Sequence, residues 1–183
     1  MGKEKSIFAI VGESGSGKDT IIEKGFGRDK MIVSYTTRKM REGETNGVEH
    51  YFVDDKQFDK IENTTQLIAW TKTGNVRYCA TTEELNTKMF YIINPDGIKW
   101  FKEHPIQGVK MVSIGIYLPL EERKKRISSR SDFSTAFNKR VMAEQQEYID
   151  YRKNGDFDYM ITNWDLDKSI KVLKAIVDAE TNN

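Results

Sequence analysis

The sequence holds a single cysteine, Cys79, and three prolines in 183 residues. One thiol excludes an intramolecular disulfide framework and fits a reducing compartment. Its two histidines, His50 and His104, lie far apart with no cysteine beside either. No metal-ligand cluster can therefore be read from spacing. No apolar run approaches the roughly 18 residues that a membrane span needs. An excess of one charge is also lacking, with 29 basic against 28 acidic residues. A near-neutral chain has no bulk field to draw in nucleic acid or a membrane surface. The opening Met1-Gly2-Lys3-Glu4-Lys5-Ser6 is charged rather than signal-like. Gly2 and Ser6 fit a loose acylation pattern, but a polar lead-in to the first strand is the plainer reading. These absences lead us to expect a cytoplasmic protein without nucleic-acid or membrane partners.

What is present is a dense pattern of buried strands and helices. Hydrophobic residues make up 38% and aromatics 11%, enough for one compact folded domain rather than a disordered chain. Ile7 to Val11, Phe90 to Ile93, Val109 to Tyr117 and Tyr159 to Ile161 are nearly continuous apolar runs. Such runs suit strands of a parallel sheet covered on both faces. Met31 to Tyr35 reads as a fifth strand. Helices are expected at Asp19 to Lys24, Pro95 to Glu103, Leu120 to Ser129, Phe137 to Lys153 and Asp165 to Glu180. Pro95 is a first-turn proline and Asp165 a cap. The alternation predicts an α/β doubly wound fold. Residues 36–88 break it with short pieces, His50 to Val53, Leu67 to Thr71 and Val76 to Tyr78. Gly43, Gly47 and Gly74 mark turns there, and the region reads as a small, mostly antiparallel lobe.

The strongest motif is Gly12-Glu13-Ser14-Gly15-Ser16-Gly17-Lys18-Asp19-Thr20, between a strand and a helix. That context is what a P-loop requires. Gly12, Gly15 and Gly17 allow left-handed backbone, so that N–H groups around Ser14 and Ser16 can face phosphate oxygens. Lys18 would bridge the β- and γ-phosphates of ATP. Asp19 stands where the strict pattern has Ser or Thr, and Thr20 supplies the hydroxyl one position later. Asp19 and Thr20 are the candidate magnesium contacts, with helix capping the alternative for Asp19.

The second motif is Ser34-Tyr35-Thr36-Thr37-Arg38-Lys39-Met40-Arg41-Glu42-Gly43-Glu44, followed by Gly47-Val48-Glu49-His50-Tyr51-Phe52. With the P-loop, it resembles the guanylate kinase family, and the match covers most of the chain. The resemblance implies a P-loop NTPase fold. Its core would be residues 1–35 and 89–183, with a nucleoside monophosphate-binding lobe at 36–88 and an arginine-bearing lid at 126–140. It implies that Arg38, Arg41, Tyr51 and Tyr78 hold the acceptor phosphate. Ser34 and Glu44 would sit by the base or support the arginines. Arginine suits this task because its planar fork matches phosphate oxygens. Arg126, Arg130 and Arg140 align with lid arginines that neutralise charge on the transferring group. Asn163 would lie near the adenine.

The resemblance breaks down at the base. The family's base-reading carboxylate corresponds to Ala69, a hydroxyl after the second tyrosine to Ala80, and an aspartate pair to Ile92-Ile93-Asn94. Asn94 and Asp96 are candidate substitutes. The loop alone also resembles ribose 1,5-bisphosphate kinases and some phage deoxynucleotide kinases. The resulting expectation is a kinase taking ATP with magnesium and GMP or dGMP, monomeric or homodimeric. The alternatives are another deoxynucleotide, a modified nucleotide or ribose 1,5-bisphosphate as acceptor, or a non-catalytic binding module of the same fold.

Overall fold

The computed structural model describes residues 4–128, 148–155 and 157–182. Four strands form a parallel sheet: β1 (Lys5–Val11), β6 (Phe90–Ile92), β7 (Val109–Tyr117) and β8 (Tyr159–Thr162), in the order β6-β1-β7-β8. Central β1 shows why its run is continuously apolar. Ile7, Ala9 and Val11 pack into a core with Ile98 and Phe101 of α3 (Pro95–Glu103). Phe8 and Ile10 face the other way, toward Ile21 and Ile22 of α1 (Lys18–Phe26) and Leu173 of α5 (Leu166–Asn182). Both faces are buried, as a parallel sheet requires. Asn94 caps α3 by accepting the Gly97 N–H, and Pro95 occupies the first turn. Asp165 accepts the Lys168 N–H at the start of α5.

A second sheet has the order β3-β2-β5-β4, from β2 (Tyr35–Thr36), β3 (Tyr51–Phe52), β4 (Leu67–Thr73) and β5 (Val76–Thr81). The β2/β5 and β4/β5 pairs are antiparallel and β2/β3 is parallel. Its buried Ile68, Ala69 and Ala80 join the α3 side of the core. Helix α2 (Asp55–Thr64), which the sequence reading omitted, opens with a reciprocal capping box between Asp54 and Gln57.

The fifth expected strand is corrected. Met31 makes an isolated bridge to Phe90, and the Ile32 N–H donates to the Phe90 carbonyl at 2.7 Å. Three residues later Tyr35 pairs with Cys79 in the other sheet. The segment passes from one sheet to the other, so it builds a ladder in neither until β2. Helix α4 is described over Leu120–Ser128, and Ser129, the last residue of the expected helix, lies outside the described residues. Of the helix expected at Phe137 to Lys153, only 148–153 is described, and it is helical.

Candidate functional site

The carboxyl end of β1 runs into the phosphate loop, where doubly wound sheets place their ligands. Gly15 and Gly17 have φ of 83° and 91°, a left-handed backbone that costs glycine nothing. At Gly12 the constraint is contact, since a Cβ there would collide with the Ile116 carbonyl oxygen. The Ser16 N–H closes the turn onto the Glu13 carbonyl at 3.1 Å. Lys18 Nζ donates to the carbonyls of Gly12 (2.6 Å) and Glu13 (3.3 Å). Its ammonium thus rests on carbonyl oxygens that phosphate oxygens can replace.

Two cavities meet at Lys18. The wider, about 600 Å³, runs from Lys18 and Asp19 to Arg38, Arg41 and Glu44. The other, about 250 Å³, leads from Gly12, Ser14 and Lys18 to Ala69, Tyr78 and Asn94. Ser34, His50 and Tyr91 line both. Thr20 lines neither. Arg38 grips Glu44 with both ends of its fork, Nη2–Oε1 at 2.7 Å and Nη1–Oε2 at 2.9 Å. The Arg41 N–H donates to Glu44 Oε2 at 2.7 Å. Partial burial alone would raise the Glu44 carboxyl, but these hydrogen bonds outweigh it and hold it below the usual range. The Arg38 guanidinium lies 5.3 Å from the centre of the Phe52 ring. A guanidinium has five donors, so Glu44 orients the Arg38 fork without exhausting it.

Tyr51 is not brought to this cavity. Its ring stacks on Tyr35 at 4.8 Å and its hydroxyl donates to Glu84 Oε1 at 3.0 Å. His50 occupies the cavity wall instead, with Nδ1 2.8 Å from Ser34 Oγ and its ring 5.7 Å from that of Tyr78. Burial, then the charge of Arg38, pushes the imidazole pKa below its ordinary value. The signal for His50 was the period of two. His50 and Phe52 touch edge to face on one side of the strand, so Tyr51 faces the other.

Asn94 lines the narrower cavity while capping α3, whereas Asp96 is exposed and lines neither cavity. Ala69 lies on the floor of that cavity, in register with Ala80, and both are buried. Among the described residues no carboxylate lines it. Cys79 is buried and its thiol pKa is pushed up to about 12, which fits packing and not nucleophilic chemistry.

Asn163 is wholly buried, and its Nδ2 donates to the Ser16 carbonyl at 2.8 Å. The Asn163 backbone carbonyl accepts from Arg126 Nη2 at 2.9 Å, which brings Arg126 to the loop. Arg130 and Arg140 lie outside the described residues. Two further charges were overlooked in the sequence. Glu13, within the loop, and Arg123, packed against it, are 1% and 2% exposed. Helical spacing signalled Arg123, since Ile127, one turn later, is also buried.

The family model for guanylate kinase matches residues 4–180. The chain belongs to the guanylate kinase family. A guanylate kinase of Wolbachia sp. subsp. Brugia malayi (strain TRS) is 28% identical over 185 residues, covering 97% of this chain and 94% of that one. One from Legionella pneumophila (strain Lens) is also 28% identical, over 180 residues, 94% of this chain and 85% of that one. The crystal structure of guanylate kinase from Anaplasma phagocytophilum matches with a TM-score of 0.69 at 25% identity, covering 100% of this chain and 90% of that one. The P-loop α/β fold and a phosphotransferase activity of guanylate kinase type follow from this membership. No helix among the described residues is long and apolar enough to cross a membrane.

Proposed function

We propose that this guanylate kinase family member transfers the γ-phosphoryl group of ATP to GMP or dGMP, giving ADP and GDP or dGDP. The observation that carries the reading is Lys18, which lines both cavities and so stands between a phosphate loop and a pair of arginines. Residues 1–35 and 89–183 would form the core that binds ATP, 36–88 the acceptor lobe and 126–140 the lid.

Phosphoryl transfer asks for positioning and charge stabilisation more than for covalent chemistry. Lys18 would exchange its carbonyl partners for β- and γ-phosphate oxygens. Arg38, oriented by Glu44, and Arg41 would hold the acceptor phosphate, with Tyr78 and His50 beside them. Arg126, Arg130 and Arg140 would neutralise charge on the group in flight and exclude water. The acceptor phosphate is already ionised at neutral pH, so no general base is required. Magnesium, bound with the nucleotide, would supply charge neutralisation at the phosphates. Among the described residues no cluster of three or more ligating side chains exists. That suits an ion that keeps water and phosphate ligands, contacted by Asp19 and Thr20 at the start of α1. The chain is read as a cytoplasmic monomer or homodimer that works on nucleotides alone.

A second reading keeps the kinase and changes the acceptor. It is favoured by Ala69 and by the lack of a carboxylate among the described residues that line the narrower cavity. Guanine presents N–H donors, and a buried carboxylate is the partner that discriminates strongly for them. The test is ADP release with ATP, magnesium and a panel of GMP, dGMP, AMP, dTMP, UMP, CMP and ribose 1,5-bisphosphate. Turnover with GMP or dGMP far above the others supports the first reading. Silence with both and turnover with another acceptor replaces it with the second. ATP binding without turnover on any acceptor would make the chain a binding module.

A further inference from the structure

Two buried side chains hold the phosphate loop from behind. Arg123 donates through Nε to the Leu118 carbonyl at 3.1 Å and through Nη1 to the Ser14 carbonyl at 3.2 Å. Asn163 donates to the Ser16 carbonyl. No peptide bond among the described residues is cis. In a trans peptide the carbonyl and the next N–H point in opposite directions. A carbonyl drawn into the interior therefore turns the following N–H outward. Arg123 does this for the peptide joining Ser14 to Gly15, and Asn163 for that joining Ser16 to Gly17. Neither the Gly15 nor the Gly17 N–H has a protein acceptor among the described residues, whereas that of Ser16 is spent on Glu13.

Arg123 lines neither cavity, so it touches no ligand there. A buried guanidinium needs a counterion, and the loop itself provides one. Glu13 Oε1 lies 3.7 Å from Arg123 Nη2 and 2.5 Å from Arg152 Nη1. Arg152 in turn lies over the Tyr117 ring, 4.9 Å from its centre. Glu13 thus keeps a second arginine against the back of the loop and fixes Arg123 where it reaches Ser14.

We propose that Arg123, with Glu13 as its counterion, is a positioning residue for the donor phosphates, acting by turning the Gly15 N–H toward them. Arg123 governs one peptide and Asn163 the other. The two therefore serve as controls for each other. The inference rests on the reading of the loop as the ATP site. Unaltered protein that fails to bind ADP with magnesium would sink that reading itself.

The test is ADP binding with magnesium by the full chain, followed by calorimetry and by the backbone amide signals of Gly15 and Gly17. In the unaltered protein both amides shift on ADP addition. Arg123→Met should weaken ADP binding about ten- to a hundredfold, the scale of one lost hydrogen bond to a charged group. The Gly15 shift should disappear and the Gly17 shift persist. Asn163→Ala should reverse that pattern. If Arg123→Met does not fold, Glu13→Gln and Arg123→Lys take its place, with a weaker effect confined to Gly15. A general loosening of the loop would blunt both amides together, and that result, or unchanged ADP affinity in a folded variant, overturns the proposal.

Discussion

Glu84 accepts the Val33 N–H at 2.6 Å and so ties together the two chain segments that cross between the sheets. One crossing runs from Ile32 to Tyr35, the other from Thr81 to Phe90. The other oxygen of Glu84 accepts from the Tyr51 hydroxyl at 3.0 Å and from Lys88 Nζ at 2.6 Å. Removing this carboxylate leaves a backbone N–H without its acceptor. Glu84→Ala should lower stability by about 1–3 kcal/mol, read as a fall in the urea midpoint. Glu84→Gln, which keeps an acceptor oxygen, should lose less. Equal losses would show that the Val33 bond is not what the carboxylate contributes.

Lys18→Ala removes the ammonium shared by both cavities. Turnover should fall by at least about a hundredfold, the scale of one lost charge-stabilising donor. The thermal midpoint should change little, because the carbonyls that Lys18 bonds at Gly12 and Glu13 belong to its own loop.

Arg38→Ala or Arg41→Ala should raise the acceptor KM sharply while the KM for ATP stays near its starting value. Glu44→Gln should reproduce part of the Arg38 effect, since it breaks the charged grip that aims the fork. Steady-state kinetics with each substrate varied in turn would decide. An unchanged acceptor KM in both arginine variants rules out the assigned phosphate site.

His50 gives the stability a pH dependence whose sign is fixed. Burial and Arg38 depress the folded pKa below the ordinary 6.5. The unfolded chain therefore binds more protons in acid, so this contribution is intact above pH 6.5 and is lost as pH falls through the folded value. His50→Gln should flatten the decline between about pH 6.5 and 5. Urea denaturation of both proteins across that range checks it, and parallel curves would count against the buried, uncharged imidazole.

Ala69→Glu places a carboxylate on the floor of the narrower cavity. GMP kcat/KM should rise relative to the other acceptors, and the thermal midpoint should drop, because a nearly buried alanine gives way to a charge. Unchanged GMP kinetics would reject the account of an altered base reader.

The phosphate loop was legible because its glycines answer a backbone demand local to nine residues. Pro95 to Glu103 and Val109 to Tyr117 were legible for a similar reason, a continuous pattern with clear boundaries. Met31 to Tyr35 was not, since its apolar residues serve two sheets in turn and only tertiary pairing reveals the exchange. Arg38 and Glu44 could be named from their motif, but their mutual grip needed coordinates. Tyr51 could be named from its motif, but one residue in a strand reverses the face, so that His50 rather than Tyr51 lines the cavities is visible only in the structure. Glu13 and Arg123 were hidden by their charge, which in a sequence reads as surface until each is seen to be the other's neighbour.

The Ala69–Ala80 pairing has a consequence in heredity. Every alanine codon becomes an acidic one by a single change at its second base. At Ala69, beside the acceptor cavity, acid-bearing and acid-free versions are thus adjacent in mutational space. A shift in nucleotide supply therefore meets a choice that a single base change makes, set against the cost of burying a charge there.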